Sequence, residues 1–368
     1  MKILILNWRD MNHPKAGGAE FVTMQHARLW VNLGHSVTWI TSGYSGTKRH
    51  ELIEGVEFIR QAGSWSIYLI APFYLLLFSH RFDVIVDEVH GIPFYSPLFT
   101  RSPVVVFIHE IANEIWDYMF VFPLNKIGKL LEKLYFWLYR NNYFWTDAIS
   151  TVDELVAYGI PRRHCYAIPC PPEKLTFPDL DKEKKPTYIF LSRLVRMKGV
   201  EEVIKAFAFI STVQNNAQLW IVGNGDSAYV ERLKEMVNDY HINPFVKFWG
   251  KVDQKTKMKL LAKAHLLLHA SVKEGWGLVV LEAALAGTPT VAYNVSGLKD
   301  VVIHNVSGIV LLKNSPQEMA QSVVRLVNDN NSYQRMRQAG KKWAKSLSWD
   351  TTARQSMALL EAAAQHKS

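Results

Sequence analysis

Short apolar runs alternate along the first half of the chain with longer segments in which apolar residues recur every three or four positions. Short runs bounded by turn residues are typical of buried strands, whereas the longer period is typical of helices. One such helix opens at Gly17 and ends near Leu33. The runs that predict strands cover residues 2–7, 36–41, 82–86, 103–108 and 148–151. Apolar strands separated by helices indicate a parallel sheet covered on both faces.

The alternation breaks at residues 169–186, where prolines cluster beside a charged stretch at 179–185, and it then restarts. Prolines interrupt regular elements, so this segment predicts a linker. In the second half, strands are predicted at residues 187–192, 218–222, 246–249, 266–270, 290–293 and 308–312. A final helix is predicted at 350–364, capped by Ser348 or Asp350.

The fold class that this pattern predicts is α/β, with two Rossmann-like, doubly wound parallel-sheet domains. A chain of 368 residues exceeds the usual size of one hydrophobic core, which favours two domains. We expect one domain at 1–168 and another at 187–345, joined by 169–186, with 346–368 returning to the first domain. Such sheets bind ligands at the carboxyl ends of their strands, so a cleft is expected where those ends face each other.

Composition and charge narrow the classes of function. Apolar residues make up 49% of the chain and charged residues 20%, which is an ordinary globular balance. Residues 1–170 carry as many acidic as basic residues, so the whole net charge of +9 falls on the remainder. That excess suits an anionic ligand, an anionic surface nearby, or simply a solvated lysine-rich face. The chain has no zinc-finger spacing, aromatic RNA-binding motif or basic-helix motif, so nucleic acid is not an expected partner.

Cysteine usage and the first residues indicate the compartment. Cys165 and Cys170 are too few for a disulfide framework in a chain of this length. The apolar run at 3–6 is far shorter than the core of a secretory signal. We therefore expect a cytoplasmic protein. The two thiols lack the neighbours of a zinc or nucleophilic site, so they are expected to be structural or to face solvent.

Two segments of the first half are unusually apolar. Residues 65–78 contain Pro72 and are too short to span a membrane, so a buried helix is predicted. Residues 116–145 interleave aromatic side chains with basic ones, namely Lys126, Lys129, Lys133 and Arg140. This second pattern suits either a helical hairpin packed on its own domain or contact with a membrane interface.

The strongest chemical signal is the segment 271–290, in which seven residues separate Glu274 from Glu282. Carboxylates in such apolar surroundings are costly to bury without a partner, and a polyhydroxylated ligand would satisfy them. The segment predicts a loop at 273–277 and a helix at 278–286 after a strand. Gly275 and Gly277 let the backbone approach a ligand, and the new helix offers free N–H groups to an anion.

Arg193 and Lys198 place two cations between a predicted strand and the next helix. A guanidinium fork and an ammonium at this sheet edge could hold a diphosphate, or they could be exposed residues of a turn. His109 similarly follows the strand at 103–108. Taken alone, it is more simply interpreted as a buried histidine with its hydrogen bonds satisfied.

Together these residues resemble the retaining glycosyltransferases of the GT4 type, which have the two-domain GT-B fold. The resemblance covers nearly the whole chain, and its most specific element is the Glu-x7-Glu motif of Glu274 and Glu282. Arg193 and Lys198 match the family's basic pair for the donor diphosphate. The remaining matches are the first-domain glycine loop, the histidine near the transferred sugar, the strand-end glycines and the loop beside the nucleotide base: Gly17, Gly18, His109, Gly223, Gly225, Lys251 and Val252.

The resemblance implies a role for each matched position. Glu274 would contact hydroxyls of the donor sugar, Glu282 would hold the ribose hydroxyls, and His109 would contact or position the sugar. Arg193 and Lys198 would neutralise charge that develops on the leaving nucleoside diphosphate. The donor-binding loop is completed by Gly275, Trp276, Gly277 and Leu278.

The chain departs from the family pattern at two places. The stretch at 168–173 lacks the family's Asn-Gly-Val-Asp sequence, so the contacts of that loop are not carried over. Trp276 stands where phenylalanine is usual, which keeps a ring beside the loop.

Two other patterns are set aside. The spacing of Gly223, Gly225 and Ala228 imitates a dinucleotide fingerprint, but no acidic ribose partner follows about 20 residues on. Asp179 and Asp181 imitate the metal-binding pair of another glycosyltransferase fold, but they lie in the predicted linker. Neither a cofactor nor a metal is therefore expected.

The resemblance implies transfer of a hexosyl unit from a UDP- or GDP-sugar to a hydroxyl acceptor, with retention at the anomeric carbon. The aromatic and basic segment suits a lipid-linked acceptor and peripheral contact with an anionic membrane. Two alternatives stay open on the same residues. One is epimerisation of a nucleotide sugar, and the other is nucleotide-sugar binding without catalysis.

Overall fold

The computed structural model describes residues 1–61, 63–174, 176–178 and 180–365. The chain divides into two compact units, which we describe separately. The N-terminal unit comprises Met1–Cys170 together with the segment from Ser348 onward, and the C-terminal unit comprises Pro171–Leu347. Asp179, one of the two aspartates considered as a metal pair, lies outside the described residues.

The N-terminal unit is built on an eight-stranded sheet with the order β3-β4-β2-β1-β5-β6-β7-β8. The strands are β1 (Lys2–Leu6), β2 (Ser36–Thr41), β3 (His50–Ile53), β4 (Val56–Arg60), β5 (Val84–Val89), β6 (Val104–Ile108), β7 (Tyr143–Thr146) and β8 (Cys165–Ala167). All neighbours are parallel except β3 and β4, which form a hairpin at the edge. Positive φ at Glu54 and Gly55 closes its two-residue turn.

Helices cover both faces of this sheet: α1 (Gly18–Asn32), α2 (Ile67–Phe78), α3 (Ile115–Met119), α4 (Leu124–Tyr139), α5 (Ile149–Ala157) and α13 (Trp349–Gln365). The last helix packs on α1 through a buried polar contact. Ser356 Oγ accepts a hydrogen bond from Trp30 Nε1 at 3.0 Å and lies 2.9 Å from His26 Nδ1. The C-terminal segment is therefore part of the N-terminal unit.

Two predictions for this unit are wrong. Residues 148–151 do not form a strand, because Ile149 begins α5 and the strand is instead β7. The aromatic side chains of β7 place it against β6, where Trp145 stacks on Phe107 at 3.8 Å between ring centroids. Residues 65–78 do form a helix, α2, but it is not a buried one. Its inner face is buried while four apolar side chains, Leu69, Phe73, Leu76 and Leu77, are exposed.

The C-terminal unit contains a six-stranded parallel sheet with the order β11-β10-β9-β12-β13-β14. The strands are β9 (Thr187–Leu191), β10 (Gln218–Val222), β11 (Val246–Gly250), β12 (Leu266–His269), β13 (Thr290–Ala292) and β14 (Gly308–Val310). The helices are α6 (Val200–Val213), α7 (Ser227–Asp239), α8 (Gln254–Lys263), α9 (Leu278–Leu285), α10 (Leu298–Val301), α11 (Pro316–Asn328) and α12 (Asn330–Ser346). The strand order reverses between β9 and β12, so the crevice of a doubly wound sheet lies there.

Part of the segment predicted as a linker is tied to the C-terminal unit. Lys182 Nζ donates hydrogen bonds to Ala264 O and Thr288 Oγ1, both at 2.6 Å. The amide of Glu183 donates to Lys263 O at 3.0 Å, and its carboxylate pairs with the Lys263 ammonium at 2.9 Å. These contacts fix the chain just before it enters β9.

We predict that Ser356→Ala lowers the free energy of unfolding by about 1–3 kcal/mol, because the substitution leaves the buried groups of Trp30 and His26 without this partner. Thermal and urea unfolding would measure the loss. Thr351→Ala, on the exposed side of the same helix, is the matched control and should change stability by less than about 0.5 kcal/mol. Equal stability of the Ser356→Ala variant and the wild type would contradict this account of how α13 is held.

Candidate functional site

In the C-terminal unit, two predicted site residues meet at the point where the strand order reverses. Lys198 lies in the turn Arg196–Lys198 after β9, and Glu274 lies in the loop after β12. Their side chains form an ion pair with Nζ and Oε1 2.7 Å apart. The sequence placed both residues at this edge of the sheet, and the structure brings them into direct contact.

The Glu274 carboxylate is held by three neighbours. Besides Lys198, Ser271 Oγ donates a hydrogen bond to Glu274 Oε1 at 2.8 Å, and His269 Nε2 lies 3.5 Å from the same oxygen. Burial alone would raise the pKa of Glu274, but the charge of Lys198 and these contacts outweigh it, so the pKa lies below its ordinary value. Glu274 is therefore an ionised hydrogen-bond acceptor at neutral pH.

His269 and Ser271 were not found from the sequence. Burial lowers the pKa of His269 to about 4 despite the nearby Glu274 carboxylate, so its ring is neutral at physiological pH. Its Nδ1 lies 3.3 Å from Ser271 Oγ. A histidine that ends an apolar strand was the only available signal for this contact.

Two glycines allow the loops around this ion pair to approach each other. A Cβ at Gly199 would lie 1.9 Å from Ala270 O, and a Cβ at Gly297 would lie 2.2 Å from Glu274 O. Both residues have positive φ, at 72° and 78°. Any other residue at either position would push the loops apart and displace Lys198 or Glu274.

Close packing within the protein requires glycine at positions 223 and 225. A Cβ at Gly223 would lie 1.8 Å from Ser192 O, and a Cβ at Gly225 would lie 2.2 Å from Leu194 O. They pack against the loop after β9, where the amide of Leu194 donates to Asn224 O at 2.8 Å. These glycines thus shape the loop that carries Arg193, and direct contact with a donor stays a prediction.

The loop after β12 ends at Gly277, which caps α9 with a positive φ of 93°. Leu278 is the first residue of that helix. The free N–H groups of the first turn of α9 therefore lie at the sheet edge, next to the loop that contains Gly275. Trp276 is buried, with 6% of its surface exposed. The ring therefore anchors the loop while the glycines leave its backbone open.

Glu282 lies one turn into α9 and pairs with Lys257 of α8, with Oε1 and Nζ 2.7 Å apart. Burial raises the pKa of Glu282 above its ordinary value, and the Lys257 ammonium opposes that shift. Lys257 was not singled out from the sequence, because several lysines of α8 are equivalent there. The second carboxylate of the motif therefore also has a cationic partner.

The other predicted residues of this unit lie on nearby loops. Arg193 is exposed after β9 and makes no ion pair within the part of the chain that the structure describes. Lys251 and Val252 follow β11, directly before the helix cap Asp253, whose side chain accepts from Thr256 N at 2.6 Å. Their proposed contact with a base stays a prediction.

The N-terminal unit carries a second polar cluster, at the carboxyl edge of its own sheet. Gly17 caps α1 and Gly18 is the first residue of that helix, and the Gly17 amide donates to Glu20 Oε2 at 2.6 Å. Glu20 is fully buried and pairs with Arg9 at 2.7 Å. A Cβ at Gly17 would contact only Glu20 Oε2, at 3.9 Å, and its φ is −144°. The protein itself therefore does not require glycine at 17, and the approach of a donor to this residue stays a prediction.

His109 follows β6 as predicted and lies between two carboxylates. Its Nδ1 is 2.6 Å from Asp147 Oδ2, and its Nε2 is 3.3 Å from Glu88 Oε1. Glu88 also accepts from Thr23 Oγ1 at 2.9 Å and lies 3.1 Å from His90 Nε2. Both ring nitrogens of His109 can donate only if the ring is doubly protonated.

The charges in this cluster stabilise one another. Burial would lower the pKa of His109, but Asp147 and Glu88 outweigh it and raise the pKa to about 10. Burial would raise the pKa of Glu88, but the hydrogen bonds of His109 and His90 lower it to about 2. His109 is therefore an imidazolium at neutral pH rather than a general base.

Glu88 and Asp147 were missed by reasoning from the sequence. The prediction for β5 stopped at Val86, although the strand continues to Val89 and contains Asp87 and Glu88. Two adjacent acids at the end of an apolar run were a signal, because a buried carboxylate requires partners. Asp147 was missed because the strand was predicted at 148–151, so the end of the real strand beside Asp147 was not recognised.

Among the described residues, no group of three or more His, Cys, Asp and Glu side chains has a geometry that could hold a metal ion. Cys170 is buried and Cys165 half-buried, and burial raises the pKa of both thiols.

Comparisons with known proteins agree with this arrangement. Residues 173–343 match the family model described as glycosyl transferases group 1, and residues 16–171 match the model for glycosyltransferase family 4. Together the two matches cover most of the chain. The protein belongs to the GT4-type glycosyltransferases. The predicted family is thereby confirmed.

One relative is the GDP-mannose-dependent alpha-(1-6)-phosphatidylinositol monomannoside mannosyltransferase of Mycobacterium tuberculosis. It is 34% identical over 178 residues, which are 46% of this chain and 46% of that protein. The match thus spans less than half the length of that relative.

Two solved structures share the fold over almost the whole chain. Sucrose-phosphate synthase from Thermosynechococcus elongatus has a TM-score of 0.78 at 19% identity, covering 97% of this chain and 98% of that one. The Anabaena protein HepE, in complex with UDP and glucose, has a TM-score of 0.76 at 19% identity, covering 98% and 100%. The predicted GT-B fold is confirmed.

We predict that His109 makes stability depend on pH. Its pKa in the folded state, about 10, lies above the ordinary 6.5, so its contribution is complete below pH 6.5 and is lost as the pH rises through about 10. The Tm difference between wild type and His109→Gln should therefore be large at pH 6 and shrink steadily towards pH 10. His50→Gln, on the exposed strand β3, is the control and should show a small and constant difference. A constant difference for His109→Gln would contradict the imidazolium assignment.

Proposed function

We propose that the protein transfers a hexosyl unit from a nucleotide-diphosphate sugar to a hydroxyl acceptor, with retention at the anomeric carbon. The observation that carries this proposal is the buried Lys198–Glu274 pair at the reversal of strand order, beside the glycine-capped start of α9. An ammonium, an ionised carboxylate and free helix N–H groups at one crevice suit a ligand with both phosphates and hydroxyls.

Lys198 and Arg193 are proposed to bind the donor diphosphate. Lys198 donates one of its protons to Glu274, and its ammonium has two further protons for phosphate oxygens. Arg193 is exposed on the adjoining loop, where its planar fork could bind the same group. As the bond to the sugar breaks, negative charge grows on the diphosphate and these cations stabilise it.

Glu274 and Glu282 are proposed to bind the two hydroxyl-bearing ends of the donor. Each carboxylate keeps a lysine partner, so neither is an uncompensated buried charge. A carboxyl group accepts several hydrogen bonds, so beside its lysine partner Glu274 keeps acceptor capacity for sugar hydroxyls and Glu282 for ribose hydroxyls.

His109 is proposed to contact or position the sugar as a cation. The carboxylates of its cluster, Glu88, Asp147 and Glu20, each accept hydrogen bonds from protein neighbours. We propose the front-face route, in which the leaving phosphate takes the proton of the incoming hydroxyl and no carboxylate of the protein attacks the sugar. Lysine and arginine supply the positive charge, so we propose that a divalent metal is not required.

For the donor we propose a UDP- or GDP-sugar, and for the acceptor a lipid-linked hydroxyl compound. The Mycobacterium tuberculosis relative is named for GDP-mannose, and the Anabaena structure contains UDP and glucose. Either UDP or GDP is thus compatible with proteins of this fold. The name of the same relative includes a phosphatidylinositol mannoside, which supports a lipid-linked hydroxyl acceptor here.

Epimerisation of a nucleotide sugar is the alternative reaction on the same fold, and binding without catalysis is another. Product analysis with and without an acceptor separates them. Transfer gives a new glycoside only when the acceptor is present, whereas an epimerase changes the donor without it. A binding protein changes neither.

We predict that Lys198→Ala lowers kcat of transfer by roughly 10²–10³, since it removes one electrostatic contact made to the leaving group. Glu274→Ala should raise KM for the donor as well as lower kcat. Circular dichroism and Tm would show that the variants remain folded, and Glu274→Gln keeps the shape of the side chain as a second test. Lys234→Ala, an exposed lysine of α7, is the control and should keep full activity. Full transfer activity in both Lys198→Ala and Glu274→Ala would overturn the site assignment.

We predict a different kinetic pattern for Glu282. A residue that holds the ribose binds the ground state and the transition state equally, so Glu282→Gln should raise donor KM by roughly ten- to hundredfold and leave kcat nearly unchanged. Glu231→Gln, an exposed carboxylate of α7, should change neither. A fall in kcat with unchanged KM would contradict the ribose assignment.

A further inference from the structure

The N-terminal unit exposes large apolar side chains on two helices. On α2 the outward residues include Phe73 and Leu77, exposed at 67% and 63%. On α4 the residues Leu130, Leu134 and Trp137 recur at helical spacing on the outer side, and 56–64% of the surface of each is exposed. Isolated exposed apolar residues are ordinary on proteins, but clustered ones mark an interaction surface.

Both helices cover the same face of the sheet. The buried residues of α2, Ile67, Ala71 and Leu75, belong to one core cluster with Tyr135, Phe136 and Tyr139 of α4. Since both helices direct their inner residues into that shared core, their outer sides point away from the same face. We name these outer sides, with the connection between α3 and α4, the outer face.

The connection between α3 and α4 extends the outer face. Val121 and Phe122 lie there and are exposed at 81% and 78%. The helices on either side are held tightly, because a Cβ at Gly128 of α4 would lie 2.5 Å from the ring of Trp116 in α3. The apolar tip is thus presented by a packed scaffold.

The charges on the outer face are of one sign. Lys126, Lys133 and Arg140 of α4 are exposed, and α2 carries no charged residue. The single acid of α4, Glu132, is buried and accepts a hydrogen bond from Ala112 N at 2.7 Å. Asp117 of α3 is paired with Lys129. The exposed α4 surface is therefore apolar and cationic.

We propose that the outer face docks on the surface of an anionic lipid bilayer. Apolar side chains flanked by lysine and arginine match the boundary between acyl chains and negative headgroups. A second copy of this chain fits less well, because two cationic faces would repel each other. Within the described ranges, no helix combines the length and apolar character needed to cross a bilayer, so docking is peripheral. The proposal goes beyond sugar transfer, and its test requires no turnover.

Co-sedimentation of the full chain with lipid vesicles tests the cationic part of this proposal. We expect binding to vesicles of phosphatidylcholine with 30% phosphatidylglycerol, and much weaker binding to phosphatidylcholine alone. The variant Lys126→Glu/Lys133→Glu/Arg140→Glu should lower the partition coefficient at least about tenfold, since each cation near such a surface contributes to binding. Lys313→Glu/Lys342→Glu/Lys345→Glu makes the same charge change on the C-terminal unit and should bind as wild type does.

Serine substitutions test the apolar part. Phe73→Ser/Leu77→Ser and Leu130→Ser/Leu134→Ser should each weaken binding several-fold while leaving Tm unchanged, because these side chains are exposed. Val213→Ser/Leu312→Ser, at exposed apolar positions of the C-terminal unit, is the matched control and should not alter binding. Thermal stabilisation by UDP or GDP, measured separately, should be the same in all these variants, so this test is independent of the proposed reaction.

Three results would overturn the proposal. The first is equal binding, or none, to neutral and anionic vesicles. The second is unchanged binding in the charge-reversed or the serine variants. The third is a dimer in size-exclusion chromatography that these variants dissociate, which would show that a second copy covers the outer face.

Discussion

The contact between Lys198 and Glu274 is the interaction on which the C-terminal site depends. It joins the loops after β9 and β12, the two strands on either side of the reversal of strand order. Burial of a carboxylate or an ammonium without a partner is unfavourable in free energy. Each of the two residues therefore stabilises the other in its buried position. Gly199 and Gly297 then let the backbones close around the pair. Charge pairing and backbone approach together fix the shape of the crevice at which we propose that a diphosphate and a sugar bind.

In the N-terminal unit, buried carboxylates are likewise paired with cations, and here histidine takes part in the pairing. Glu88 and Asp147 are buried at the ends of β5 and β7, and His109 lies between them as a cation. Arg9 compensates Glu20 at the start of α1 in the same way. Both sheets thus concentrate paired charges at their carboxyl edges, where a doubly wound sheet binds its ligands. On the outer face, by contrast, cationic side chains are exposed together with apolar ones.

Much of the fold, and the residues at the centre of the candidate site, could be picked out from local pattern. The strands β2 and β10 were placed correctly, and Glu274, Lys198 and Gly277 were found because motif and turn chemistry are local. Lys257, His269 and Gly297 could not be found, since their importance arises from contacts between distant segments. The exposure of α2 was missed for a related reason. A wholly apolar helix shows no polar side, so its sequence does not indicate which side faces solvent.

The central claim is that the crevice between β9 and β12 binds a nucleoside diphosphate through Lys198. A crystal structure of the full chain with UDP or GDP, whichever stabilises it more, tests this most directly. We expect a phosphate oxygen within hydrogen-bond distance of Lys198 Nζ and the ribose hydroxyls on Glu282. A nucleotide bound elsewhere, with Lys198 contacting only Glu274, would contradict the claim.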